Sequence, residues 1–425
     1  MKYAIVILSG AADESIAELG RRTPLEAASM PRLDELARRG RVGLVATVPQ
    51  GHAPGSAQCL STLLGYEPRL IGHARAPLEA AALELDVGDA FVLRLDLITI
   101  GGEETADSGL VLDDTGGRIP TPEARVLLDD LLSFWKRESG ELVRGMELVP
   151  GLRNRALVID RSGRDYAGVQ TVPPRSILGQ EACVHTPAGG VPGAAEVLCR
   201  LIDSSYELLR HHEVNLTRID QGLQPANLAW FWGQGRVPSL PSLEQMFGLR
   251  GVVVAQSPAV RGLARLAGWS VSNDPDMQGR AGLARAACSL MDSFDIVLVC
   301  DDAPDEASHA GDWEAKTEAL ERADAELIGP LMDRLVRYGD AERDPTAEGW
   351  RMMVAVDHAT LVSTRQHAAD PVPVAMAGAW IRSAVERRFS ESEAEASDMF
   401  IDPGHELLEF FLRGGLAGVR KEVTP

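Results

Sequence analysis

A chain of 425 residues is long for one hydrophobic core, so two domains of unequal size are expected. Its 62 acidic against 42 basic side chains leave a formal charge of −20, which gives a phosphate backbone nothing basic to follow and so excludes a nucleic-acid surface. No run of 18 apolar residues is available to span a bilayer, and the cysteines at 59, 183, 199, 288 and 300, without a CxxC pair, read as reduced thiols of a cytoplasmic protein.

The N-terminal run Tyr3-Ala4-Ile5-Val6-Ile7-Leu8 is too short for a signal peptide and reads as a first strand, ending at Ser9-Gly10. A helix is expected at 32–39 and a strand at 42–48. The loop Pro49-Gln50-Gly51-His52-Ala53-Pro54-Gly55-Ser56 then opens an apolar-faced helix running to Leu64. Residues 75–234 differ in texture, with strand candidates at 90–100 and 156–160, turn-rich Gly/Pro/Asp stretches and two helices. They read as a smaller domain inserted into a core made of residues 1–74 and 235–425. Trp230, Trp232 and Gln234 lie at the Gly-rich return and read either as an interdomain hinge or as plain packing. Beyond it the strand–helix alternation resumes, with strands at 251–255, 296–300, 352–356 and 372–377. Leu320, Ala323, Leu327, Leu331 and Leu335 form one helical stripe within 314–338, bent at Gly329-Pro330. Residues 391–397 read as a solvated polar stretch.

The residues able to do chemistry follow apolar runs. Asp305 and His309 lie just after Ile296-Val297-Leu298-Val299, Asp357-His358 follows Met352-Met353-Val354-Ala355-Val356, and His367 comes nine residues after His358. Such runs mark buried parallel strands, and open α/β sheets bind ligands beyond the carboxyl ends of those strands. Each of the five has an ordinary explanation as a helix cap or a hydrogen-bonded histidine; all five together point to a metal site. Carboxylate and imidazole without thiolate suit a divalent ion such as Mn²⁺ or Zn²⁺, one or two per chain.

On its local pattern alone, Gly55-Ser56 reads as an N-cap serine. A nearby metal ion would lower the hydroxyl pKa and make Ser56 a nucleophile at a helix start that favours phosphate. Arg94, Arg155, Arg175 and Arg261 are candidate clamps, since the guanidinium fork matches phosphate and carboxylate alike. Only Arg94, inside an apolar strand, calls for a buried partner. Cys59 reads as a small hydrophobe; Cys300 stays open between that role and a ligand.

At these residues the chain resembles the archaeal-type cofactor-independent phosphoglycerate mutases of the alkaline phosphatase superfamily. The matching stretches run nearly end to end: Thr23-Pro24-Leu25-Glu26-Ala27-Ala28, Pro54-Gly55-Ser56, Leu64-Gly65-Tyr66-Glu67-Pro68 and Pro77-Leu78-Glu79-Ala80-Ala81, then Pro225-Ala226-Asn227, Trp232-Gly233-Gln234-Gly235, Ala303-Pro304-Asp305-Glu306-Ala307, Asp357-His358 and His367-Ala368-Ala369-Asp370-Pro371-Val372-Pro373. The resemblance implies an α/β fold, a doubly wound, mainly parallel sheet carrying an inserted smaller α+β domain that binds substrate. It also implies glycolytic interconversion of 3- and 2-phosphoglycerate through a phosphoserine. Ser56 would be the nucleophile. Asp305, His309 and His367 would hold one metal, and Asp357 and His358 would help hold the other.

The chain departs from that pattern around the nucleophile. Ser9 stands where the family has a metal-ligand aspartate, Ala57 and Leu60 where it has aspartate and asparagine, and Cys300 where histidine is usual. Arg175-Ser176 replace His-Asp after Pro173-Pro174, and Arg261 replaces a lysine. Asp13, Asp301 and Asp302 are the acidic neighbours from which the charge missing at Ser9 could come. A working mutase is therefore set against a weakened or repurposed relative with one intact metal site, acting on another phosphate ester or serving a binding role.

Overall fold

The computed structural model describes residues 1–48, 54–71, 75–101, 109–382 and 385–415; most of the loop expected ahead of Ser56, residues 49–53, lies outside them. The chain divides into two compact units, Met1–Gly72 with Ser239–Pro425, and His73–Pro238.

The first unit is built on an eight-stranded sheet in the order Ser270–Val271, Gly251–Val254, Ile296–Asp301, Lys2–Leu8, Trp350–Ala355, Val372–Gly378, Arg41–Val45, Phe400–Ile401. Val372–Gly378 runs antiparallel to both its neighbours, and every other pairing is parallel. The fold is thus the α/β, mainly parallel architecture expected. Its central strands are uninterrupted Val/Ile/Leu/Met/Ala runs because they are covered on both faces: Ile5 to Leu8 and Met352 to Ala355 are all buried. The register pairs Leu8 with Asp301 and Ile7 with Ala355. Three central strands therefore end at one edge, and Ser9-Gly10, Asp302 and Asp357-His358 emerge there together.

The 314–338 segment carries its predicted stripe fully buried, but the bend has another form. A helix at Trp313–Ala323 widens into a π-helical turn at Asp324–Ile328 before the helix Gly329–Leu335. Pro330 has no N–H to donate and its ring crowds the preceding turn, and the wider turn accommodates both. The turn also aims buried Asp324 at the start of the helix Pro31–Arg39, where its carboxylate accepts from the N–H groups of Arg32 and Leu33 at 3.1 and 2.7 Å. The polar 391–397 stretch is more engaged than expected. Helix Glu391–Glu395 is anchored by Glu391, which accepts from Asp13 N at 3.1 Å and Thr23 Oγ1 at 2.6 Å.

The second unit centres on the long strand Phe91–Gly101, which pairs antiparallel with Arg155–Asp160, Leu228–Gly235 and Leu110–Asp113, with Met146–Pro150 beyond Arg155–Asp160. Among its described residues are four α-helices, Arg75–Ala82, Thr121–Glu138, Ala194–Leu209 and Glu213–Asp220, where two helices were expected. Trp230 is fully buried in the Leu228–Gly235 strand, and Trp232 is nearly so, so the tryptophans are core packing of this unit.

Candidate functional site

Where the central strands of the first unit end, Asp305 and His309 on helix Ala303–Ala310 meet His367 on the hairpin of Ala359–Leu361 and Gln366–Ala368. The two imidazole Nε2 atoms are 3.1 Å apart, and each lies 3.5 Å from an Asp305 oxygen. Three ligands at about 2.0–2.1 Å from a tetrahedral ion would be about 3.3 Å from one another, so these donors fit one metal ion. His309 Nδ1 lies 2.9 Å from the Arg365 carbonyl, to which it can only donate. In the neutral ring its Nε2 is then a bare lone pair directed at the shared centre, the tautomer a ligand requires, and in the protonated ring the same atom donates toward Asp305. Burial opposes ionisation of Asp305, but the hydrogen bonds from His309 and His367 and the nearby His358 hold its carboxyl well below the usual carboxylate range.

Asp357 and His358 follow the adjacent strand. The Asp357 carboxylate accepts from Ser9 Oγ at 2.9 Å, Gly10 N at 3.0 Å and the His358 N–H at 2.8 Å. His358 is fully buried, and burial lowers its pKa. Its ring stacks on His367 with centroids 3.9 Å apart, and its Nε2 lies 3.1 Å from Ser56 Oγ. The ordinary explanation of Ser56 does not hold: Gly55 occupies the N-cap of helix Ser56–Leu63, and the serine hydroxyl is turned to His358 instead. Ser56, Asp305, His309, Asp357, His358 and His367 are thus gathered in one place.

The cysteines and acids around Ser9 divide differently. Burial pushes the Cys59 thiol up to about 12 and Cys300 well above its ordinary value, and Cys300 donates to Asp302 Oδ1 at 3.4 Å. Asp302 is itself pushed up to about 7, first by burial and then by the charges of Asp357, Asp301 and Asp305. Asp301 is paired with Arg280 at 2.6 Å, and Asp13 with buried Lys316 at 2.8 Å.

Arg261 belongs to the same unit but bonds the carbonyls of Ala255 and Ser272 and the side chain of Asn273. In the second unit, Arg94 has the buried partners its strand position called for: Glu79 at 2.6 Å, Asp96 at 2.9 Å and the Trp232 ring at 4.8 Å. Arg155 and Arg175 are exposed there.

Three residues escaped the sequence reading. Gly10 adopts φ +64°, and a Cβ on it would come within 2.6 Å of Asp305 Oδ1 and 2.7 Å of Thr360 Oγ1. Thr360 donates to Asp305 Oδ1 at 2.6 Å. Lys316 Nζ donates to Ala12 O, Asp13 Oδ2 and Thr360 O at 3.1, 2.8 and 2.9 Å. The Asp-His-x-Thr spacing was a visible signal for Thr360; nothing local marks Lys316.

A family model described as 2,3-bisphosphoglycerate-independent phosphoglycerate mutase matches residues 37–215. A protein of that name from Methanothrix thermoacetophila is 34% identical over 97% of this chain and 100% of its own length. A probable 2,3-bisphosphoglycerate-independent phosphoglycerate mutase from Geobacter sulfurreducens is 33% identical, again over 97% and 100%. Among solved structures, a Pyrococcus horikoshii protein superposes with a TM-score of 0.75 at 24% identity, covering 97% of each chain. A cofactor-independent phosphoglycerate mutase from Thermoplasma acidophilum gives 0.58 at 23%, covering 98% of this chain and 100% of the other. At those identities the two structures speak for the fold.

Proposed function

The chain belongs to the 2,3-bisphosphoglycerate-independent phosphoglycerate mutases, and from that premise we propose that it interconverts 3- and 2-phosphoglycerate by passing the phosphoryl group through Ser56. The enzyme is an isomerase, and its substrate is a small phosphorylated acid. The observation that carries the Ser56 assignment is the 3.1 Å contact between its hydroxyl and His358 Nε2, with the Asp305, His309 and His367 donors alongside.

In this reading Asp305, His309 and His367 hold one divalent cation, Mn²⁺ or Zn²⁺ by donor type, and Asp357, His358 and Ser56 hold a second. A bound divalent cation supplies positive charge for the phosphoryl oxygens and lowers the pKa of the serine hydroxyl. Ser56 Oγ, aimed by His358, attacks phosphorus as the bond from phosphorus to the glycerate oxygen breaks. The proton given up by the serine hydroxyl is balanced by one taken up on the glycerate oxygen, which leaves as a free hydroxyl. The phosphoserine then returns the group to the other glycerate hydroxyl. Arg155 and Arg175 are the freer of the proposed anion clamps, since Arg94 already holds two carboxylates and Arg261 two carbonyls. A cytoplasmic, glycolytic setting suits five unpaired cysteines, and no helix among the described residues is long and apolar enough to cross a membrane.

The test is Ser56→Ala in a mutase assay on 3-phosphoglycerate with Mn²⁺, alongside mass spectrometry of rapidly quenched wild type. Loss of exchange in the variant and phosphoserine at 56 in the wild type are expected; unchanged turnover would move the nucleophile elsewhere.

A second reading, a weakened relative with one metal site, is favoured by one observation. Ser9 gives Asp357 a neutral hydroxyl partner where the family carries a charged ligand. Two metals bound per chain would support the mutase, and one the weakened relative.

A further inference from the structure

The hydroxyl of Thr360 is fully buried and touches both halves of the site. It lies 2.6 Å from Asp305 Oδ1 and 3.1 Å from His358 Nδ1. A hydroxyl has one proton and a carboxylate can only accept, so that proton goes to Asp305. The contact with His358 must then run the other way, with Nδ1–H donating to Thr360 Oγ1. A neutral imidazole with its proton on Nδ1 has a bare Nε2, and Nε2 is the atom 3.1 Å from Ser56 Oγ. Asp357 Oδ2 also lies near that Nε2, at 3.4 Å, beyond ordinary hydrogen-bond reach, so with Nε2 bare the Ser56 hydroxyl donates to His358. One chain of hydrogen bonds runs from Ser56 through His358 and Thr360 to Asp305, each donor pointing toward the carboxylate or toward the ring.

The threonine has little freedom to do otherwise. Its N–H donates to Ala12 O at 3.1 Å, and its carbonyl accepts from buried Lys316 at 2.9 Å. Gly10 packs so closely that a Cβ there would lie 2.7 Å from Thr360 Oγ1. The backbone is held at both polar groups and the side chain is hemmed in beside its two partners.

We propose that Thr360 is a positioning residue: its hydroxyl fixes His358 in the Nδ1–H tautomer, so that the Nε2 lone pair is presented at Ser56. The tautomer is a property of the free protein; its catalytic consequence rests on the reading of Ser56 as phosphoryl acceptor. Without the threonine hydroxyl the imidazole can carry its proton on Nε2. It then has no lone pair to offer there, either to the serine proton or to a cation.

The experiment is ¹⁵N NMR of metal-free protein labelled at histidine, with the His358 signals identified by their loss in His358→Gln. Wild type should show a protonated Nδ1 and a bare Nε2. Thr360→Val, close in shape but without the hydroxyl, should shift His358 toward the Nε2–H form, and Thr360→Ser should restore the wild-type pattern. In the assay with Mn²⁺, Thr360→Val should lower kcat by about 10–100-fold, the range for losing a residue that orients a ligand, with KM changed less and Thr360→Ser recovering most of the loss. A wild-type His358 protonated on Nε2, or on both nitrogens, would overturn the proposal, as would a Thr360→Val protein with the wild-type tautomer. Failure of the Ser56 reading would show separately, as turnover surviving Ser56→Ala, and would leave the tautomer result standing.

Discussion

Gly10 is the residue on which the close packing of the site turns. Its φ of +64° is one that L side chains rarely adopt, and the space a Cβ would need is taken by Asp305 and Thr360. Gly10→Ala should displace the Asp305 carboxylate from His309 and His367, lowering metal affinity about 10–100-fold while leaving the circular dichroism spectrum unchanged; calorimetric titration with Mn²⁺ measures it. Ser9 lies next to it and raises the opposite question. Ser9→Asp would set a second carboxylate against Asp357, which Ser9 Oγ now contacts at 2.9 Å. Unit charges about 4 Å apart at an effective dielectric near 20 interact by about 4 kcal/mol. The variant should therefore melt lower than wild type without metal, and gain more on adding Mn²⁺, with more metal bound per chain. A variant with the wild-type melting curve and metal content would mean that position 9 does not limit the second site.

At the scale of elements, two polar anchors tie the strand ends to their surroundings. Lys316, on helix Trp313–Ala323, is fully buried against Asp13 and the carbonyls of Ala12 and Thr360. A buried ion pair adds little over apolar packing, but removing one partner strands the other charge at a cost of about 3–5 kcal/mol. Lys316→Met should be destabilised by about that much in urea unfolding, and adding Asp13→Asn should recover part of it. The second anchor is Glu391, whose carboxyl is pushed from 4.5 up to about 7, chiefly by burial. Its folded pKa exceeds the unfolded value, so the stability it contributes is fully present below pH 4.5 and is lost as pH rises through about 7. Asp302, also raised to about 7, acts in the same sense. Thermal melts of Glu391→Gln should therefore fall less than those of wild type between these pH values; parallel curves would show that Glu391 is ionised throughout.

For the whole molecule, the division at 72/73 and 238/239 has a folding consequence. The His73–Pro238 unit has its own five-stranded sheet and its own core, in which Leu127, Leu131 and Trp135 pack with Leu198, Leu201, Trp230 and Phe231. A unit with its own core can fold alone. We propose that a fragment spanning 73–238 unfolds cooperatively by itself, as read by circular dichroism in urea; a non-cooperative, featureless melt would show that its stability is borrowed from the rest of the chain.

Apolar runs at 296–300 and 352–356 were legible as buried strands because β-branched and aliphatic residues without interruption suit only a sheet covered on both faces. The acids and histidines just beyond them were legible for the same reason: strand ends point the following residues at a common edge. Asp305, His309, Asp357, His358 and His367 could thus be named as candidates from residue type and position, whereas Ser56 stood out only beside them and through the family resemblance. What the chain order could not decide was which of them touch. The wide turn at Asp324–Ile328, the burial of Lys316 against Asp13, and the anchoring of Glu391 on Thr23 all depend on partners up to several hundred residues away. Gly10 looks like any strand-end glycine until Asp305 and Thr360 occupy the space of its missing Cβ. Tautomers, too, belong to the folded state. Composition and period determine which segments are buried and which polar groups gather at an edge; the direction of each hydrogen bond is set only when the partners are within reach.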